Sequence, residues 1–203
     1  NIKIAYQGRP GAYSHLACKE AFPKSVPIAC ETFEEVFEKT HKGETNISFI
    51  PVENSQAGRV ADIHNLLRDS SLHIVDEYFY RVNHQLLGLE GAKIEDLVSV
   101  CSHVQALSQC RNYISQKGLN PIIMGDTAGS AAFVIKNNDN KIAAIASSLA
   151  GEIHGLQVLS NNIQDSKNNI TRFVVLSKES SDPDPNDGLI ITSCIFTLRN
   201  IPA

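Results

Sequence analysis

Apolar residues change their spacing several times along this chain, and each change marks an element. Residues 2–6 (Ile-Lys-Ile-Ala-Tyr) read as a strand, a Gly/Pro turn follows, and 13–22 carry a helical pattern. After a short strand at 27–30, Thr32 and Glu35 form a capping box. The helix it opens has Phe33, Val36 and Phe37 on one face and Gly43 as its stop. Residues 47–52 predict the next strand and 60–69 another amphipathic helix. Such alternation predicts βαβ units and a mostly parallel sheet.

Residues 71–89 break that rhythm. The stretch is extended, poor in helix signals and longer than a typical strand of about 5–6 residues, so it is expected to cross between two lobes. Beyond it, strands at 98–101, 122–124 and 142–145 lead into helices at 104–117, 128–136 and 147–155. Residues 156–160 and 172–176 then carry the chain back. The expected architecture is therefore α/β with two lobes, residues 1–79 plus 157–178 and residues 80–156, and a site in the cleft between them. Residues 179–188 have linker chemistry, and 189–198 read as one more strand. A lone strand cannot bury a core, so it reads as the start of a further domain.

Composition narrows the function classes. The chain has 203 residues, 42% apolar and 20% charged, enough for a core without staples and unlike a disordered protein. Net charge is −4 with Lys and Arg scattered, which argues against a nucleic-acid partner. No apolar run approaches the roughly 18–20 residues of a membrane span. The N-terminus has no basic-then-apolar signal and no initiator Met, so a cytoplasmic protein with a processed or trimmed start is expected. Cys18, Cys30, Cys101, Cys110 and Cys194 are widely spaced without a C-x-x-C pair, which predicts reduced, buried thiols rather than zinc or disulfides.

Four strand-to-helix junctions are rich in Gly and small polar residues: 8–14, 53–58, 102–106 and 125–130. In parallel α/β sheets such loops face ligands, and helix N-termini there suit anions. One Ser or Thr in such a loop is ordinarily an N-cap, whereas four such loops favour a shared anion site. No G-x-G-x-x-G, G-K-[ST] or G-x-S-x-G occurs, and His15, His103 and His154 lack ligand spacing, so neither cofactor nor metal is expected. Residues 168–173, Asn-Asn-Ile-Thr-Arg-Phe, run straight into an apolar strand. Arg172 there reads equally as a carboxylate fork or as a surface residue at a strand start.

Together these motifs resemble the prephenate dehydratase family over residues 2–178. The matches are 8–14 (G-x-x-G-[ST]-Y-S), 51–58 (P-x-E-N-S-x-x-G), 102–107 (S-H-P-Q-A-L), 143–155, and Ile163, Asp165, Asn169, Thr171, Arg172 and Phe173 (I-x-D, then N-x-T-R-F). Ala12 and Val104 depart from the pattern, standing for the usual Ser or Thr and the usual Pro. The resemblance implies a fold like type II periplasmic binding proteins, and a carbon–oxygen lyase that converts prephenate to phenylpyruvate with loss of CO2 and water. It implies Thr171 as the essential hydroxyl, and Arg172, Phe173, Asn54, Ser55, Tyr13, Ser14, Ser102, His103, Gln105 and Thr127 around the substrate. Glu53 is a rival acid and Asn169 a secondary candidate. It further implies a homodimer or tetramer without a cofactor. Residues 189–203 resemble the first strand of an ACT domain, so phenylalanine is an expected effector only with the rest of that domain. Arogenate dehydratase, or a non-catalytic small-anion-binding protein of the same fold, are the alternatives.

Overall fold

The computed structural model describes residues 1–184, 186 and 188, and the strand and ACT-like segment expected at 189–203 lie outside them. The first part of the chain forms β1 (Lys3–Gln7), α1 (Tyr13–Ala21), β2 (Val26–Cys30), α2 (Phe33–His41), β3 (Ile47–Asn54), β4 (Gly58–Arg59), α3 (Asp62–Asp69) and β5 (His73–Arg81). It continues with β6 (Gln85–Gly88), β7 (Ser99–His103), α4 (Val104–Gln109), α5 (Arg111–Gln116), β8 (Asn120–Met124), α6 (Thr127–Asn137), β9 (Ile142–Ala146) and α7 (Ser148–His154). β10 (Gln157–Ser160) and β11 (Ile170–Ser177) complete the described elements.

Local chemistry accounts for the starts and stops. Thr32 Oγ1 accepts from the Glu35 amide at 3.2 Å, while the Glu35 carboxylate reaches the Glu31 amide at 2.7 Å, one residue before the N-cap. Ser147 caps α7 through the Ala150 amide at 3.0 Å, and Gly155 ends that helix in the left-handed region (φ 66°). The helix expected over 104–117 is two helices, because Cys110 (φ −120°, ψ 22°) leaves the helical region between them.

The strands form two sheets, ordered β2-β1-β3-β11-β5 with β4 beside β3, and β10-β6-β9-β7-β8. Neither is mostly parallel. β1, β2 and β3 run parallel, as do β7, β8 and β9, but β11 is antiparallel to β3 and β5, and β6 is antiparallel to β9 and β10. The antiparallel strands flank the crossings, where a chain returning from the other sheet enters against the direction of its neighbours. β10 pairs with β6, so residues 157–160 extend the second sheet rather than the first, and β5 holds residues 80 and 81 in the first. The expected division assigned both short segments oppositely. Length and apolarity identify a strand, but only its ladder partner decides its sheet.

Alternate residues of the central strands are buried on opposite faces. In the first sheet Ala5, Ile50, Val174 and Leu176 meet Val36, Phe37 and Ile63 of α2 and α3, while Ile4, Phe49, Phe173 and Val175 meet Ala17 and Cys18 of α1. The second repeats this: Leu86, Val100 and Ile145 face Leu107 and Ile114, and Leu87, Cys101 and Ala144 face Ala131, Val134 and Ala150. On the β11–β5 ladder, Arg172 Nε donates to Glu77 Oε2 (2.8 Å) and its terminal nitrogen lies 2.7 Å from the same oxygen as an ion pair, with its guanidinium 5.9 Å from the Phe79 ring centre.

Two segments cross side by side between the sheets. The Val82 amide donates to Asn169 O (2.8 Å), and the Ile163 amide to His84 O (3.0 Å). His84 is 2% exposed; its ring lies 2.7 Å from Gln109 Oε1 through Nε2 and 2.6 Å from the Tyr13 hydroxyl through Nδ1. Burial lowers its pKa from the ordinary 6.5, against a smaller opposing effect of the Gln109 bond. The sheets also touch where Ser147 Oγ donates to Gly11 O (2.6 Å). Gly11 has φ +90°, and a Cβ there would lie 2.9 Å from Ala150 Cα.

Two measurements check this account. Below the ordinary histidine pKa the unfolded chain binds a proton that folded His84 refuses, so stability is present above about pH 6.5 and falls on acidification toward the lowered native value. In thermal melts between about pH 7 and pH 5, His84→Gln is expected to flatten that fall. For the part-buried Arg172–Glu77 pair, Arg172→Met is expected to cost about 1–2 kcal/mol, between an exposed and a buried pair. Urea melts of the Arg172→Met/Glu77→Gln cycle should return a coupling of about 1 kcal/mol.

Candidate active site at the crossings

Asn54 ends β3 and Thr171 lies opposite it on β11. Asn54 Oδ1 accepts from the Gln56 amide (3.0 Å) and the Ala57 amide (2.9 Å), closing the turn after the strand. With its oxygen held there, its Nδ2 faces β11. The two protons on that nitrogen serve Asn169 Oδ1 (2.8 Å), Thr171 Oγ1 (3.0 Å) and Ile170 O (3.3 Å). Thr171 Oγ1 is therefore an acceptor toward Asn54, and no described residue takes its proton. A half-buried hydroxyl with one lone pair held keeps its O–H available as a hydrogen-bond donor.

Asn169 connects this pair to the second sheet. It is fully buried, and its Nδ2 donates to Gln109 Oε1 at the end of α4 (2.8 Å). Gln109 also holds the returning segment, its carbonyl accepting from the Asp165 amide at 2.7 Å. The hydrogen-bonded series Thr171–Asn54–Asn169–Gln109–His84–Tyr13 thus joins both sheets at the crossings.

The expected site residues separate into distinct roles. Ser55 closes the same corner, donating to Asn168 O (2.6 Å) and accepting from the Ile170 amide (3.0 Å), so its hydroxyl is occupied. Arg172 and Phe173 are engaged by other side chains. Neighbours on a strand point to opposite faces, which turns Arg172 toward Glu77. Phe173 is 1% exposed and stacks on Phe49 at 4.4 Å. Tyr13 spends its hydroxyl on His84, and fully buried Ser102 donates to Ile145 O at 2.6 Å. His103 is an N-cap, its Nδ1 accepting from the Gln105 amide at 3.3 Å. Gln105 and Glu53 are exposed, whereas Ser14 and Thr127 are half-buried in the first turns of α1 and α6. Of the expected loops, 102–106 and 125–130 open helices capped by His103 and Asp126, whereas α1 (N-cap Ala12) and α3 (N-cap Ala61, reached from 53–58 through β4) lack a side-chain cap.

His84 and Gln109 were missed. Gln109 sits two residues beyond the 102–107 motif, and His84 lies in an extended stretch without any motif. Only the crossing brings them to Asn169. The four described cysteines are free and buried, and burial raises the Cys18 and Cys110 thiols to about 12 and the Cys101 thiol to about 11, so none is a ready thiolate. Among the described residues no His, Cys, Asp and Glu cluster could hold a metal, and no helix is long and apolar enough to cross a membrane.

Comparison with known proteins agrees with this geometry. The family profile described as prephenate dehydratase matches residues 4–181. A bifunctional N-acyl-homoserine lactone acylase/prephenate dehydratase of Komagataeibacter europaeus is 41% identical over 98% of this chain and 71% of its own length. Arogenate dehydratase/prephenate dehydratase 1 of Arabidopsis thaliana, a chloroplastic protein, is also 41% identical, over 99% of this chain; the chain spans 51% of that relative. Among solved structures, the prephenate dehydratase of Staphylococcus aureus superposes with a TM-score of 0.73 at 29% identity, covering 88% of this chain and 68% of its own. That of Arthrobacter aurescens, in complex with L-Phe, reaches 0.82 at 23% identity over 90% and 62%, a likeness of fold. The two-sheet α/β fold, the site motifs and these matches place the chain in the prephenate dehydratase family.

Proposed function

We propose that the chain converts prephenate to phenylpyruvate, as a lyase in aromatic amino-acid synthesis, with the two sheets acting as lobes around the substrate. The observation that carries this reading is the Asn54–Thr171 bond, which leaves a hydroxyl proton unspent where both sheets meet.

Prephenate has a ring carboxylate, a pyruvyl carboxylate and a ring hydroxyl. The bond to the ring carboxylate breaks, CO2 leaves, and its electron pair enters the ring as the C–O bond opposite breaks. The departing hydroxide takes a proton from solvent to become water, and the ring becomes aromatic. Most of the driving force lies in the substrate, so the protein needs to hold a dianion in place and stabilise the leaving oxygen. Thr171 is placed to donate a hydrogen bond to that oxygen. Threonine is too weak an acid to transfer its proton outright, so orientation and a water-poor setting do the work. The uncapped amides at the start of α1, with Ser14 beside them, are the candidates for a carboxylate.

Arogenate differs by an amino group on the side chain, remote from the bonds that break, so this chemistry serves it equally. A cytoplasmic homodimer or tetramer belongs to the same proposal.

Thr171→Val keeps a β-branched shape without the hydroxyl, and it is expected to lower kcat by about 100-fold or more, as loss of one oriented donor does elsewhere. Thr171→Ser should retain activity within about tenfold. Phenylpyruvate formation measures both, and full activity in the valine variant refutes the assignment. Parallel assays with prephenate and arogenate test the substrate. A higher kcat/KM with arogenate would replace prephenate in the proposal.

A further inference from the structure

His84 is a buried imidazole that the reaction itself does not use, and its protonation pattern follows from its neighbours. Gln109 Oε1 has no proton, yet it receives both Asn169 Nδ2 and His84 Nε2. His84 Nε2 must therefore carry a hydrogen. In a neutral ring Nδ1 is then bare, and it accepts the Tyr13 O–H at 2.6 Å. Tyr13 meets the ring edge-on at 5.3 Å between centroids, and the His84 backbone amide is held by Gln164 Oε1 at 2.9 Å. One tautomer in one orientation satisfies all these partners.

The order passes on by amide logic. An amide has donors at one end and an acceptor at the other, so fixing one end fixes both. His84 Nε2–H requires the oxygen of Gln109. That oxygen requires the nitrogen of Asn169, which turns Asn169 Oδ1 to Asn54; there the series meets an amide whose oxygen the Gln56 and Ala57 amides already hold and whose nitrogen also serves Thr171. We propose that His84 is a positioning residue for the reaction: locked by Tyr13 in its Nε2–H form, it holds the Gln109 and Asn169 amides from the second sheet against Asn54, whose own direction the Gln56 and Ala57 amides fix, and so keeps the Asn54–Thr171 pair in place with a proton left to donate. This rests on the reading of Thr171 given above.

The test uses the full chain, with kinetics and 15N NMR of the histidine ring. His84→Phe keeps a ring without a donor, and it is expected to lower kcat about tenfold with KM within about twofold, the size of one lost hydrogen bond made useful in the transition state. His84→Gln replaces the N–H toward Gln109 and should recover to within about threefold of wild type. In the wild-type spectrum His84 should be neutral with Nε2 protonated. Where His84→Phe does not fold, Tyr13→Phe carries the test by deleting one oxygen. It should remove the single-tautomer signature and lower kcat about threefold at constant KM. A protonated Nδ1 in the wild type overturns the proposal. So does an unchanged kcat in the variant tested, or an equal loss in His84→Phe and His84→Gln. If Thr171→Val is active the functional reading fails, whereas an inactive Thr171→Val beside a fully active His84→Phe removes only the role of His84.

Discussion

A chain that passes twice between two sheets must bury polar backbone and side chains where neither sheet can supply a regular ladder. Asn169 answers that constraint. It is fully buried, its carbonyl accepts from Val82, its side-chain oxygen faces Asn54 and its nitrogen faces Gln109. An unsatisfied amide at that depth would cost about 1–3 kcal/mol, and here three separate segments depend on one residue to avoid it. The hinge and the candidate site are consequently the same group of atoms. What joins the sheets also orients Thr171.

This economy explains why the candidate chemistry uses so few ionisable groups. The elimination is driven by aromatisation, and the protein needs donors in fixed directions more than it needs acids of tuned strength. Amide and hydroxyl side chains suit that task, because their direction is set by neighbours and does not change with pH. Burial disfavours the charged form of the one imidazole in the series, whose two ring nitrogens face Tyr13 and Gln109. Local charge appears instead at the outer face of the first sheet, where Arg172 and Glu77 hold the edge strand β5 to β11.

The partners that the expected site residues find show how a motif combines two kinds of requirement. In the Thr171-Arg172-Phe173 run, successive side chains alternate between the faces of one strand. Thr171 reaches the crossings, Arg172 braces an ion pair, and Phe173 stacks in the core against Phe49. Ser55 and Ser102 similarly hold corners together through backbone carbonyls. A signature sequence thus records the geometry that presents a functional group as much as the group itself.

The amino-acid sequence by itself determined the two-lobed α/β architecture, the positions of most helices and strands, and the motifs that carry Asn54 and Thr171. These depend on side-chain period, caps and turn residues, which act within a few positions along the chain. Tertiary structure alone decided the direction and sheet of β10 and the split at Cys110. It alone engaged Arg172 with Glu77 and Phe173 with Phe49, and brought His84 and Gln109 to Asn169. The reason is distance: Asn54 and Asn169 are 115 residues apart, and His84 and Gln109 are 25 apart. Hydrogen-bond partners at such separations leave no periodic mark on the chain, because the crossing that brings them together is a property of the whole fold.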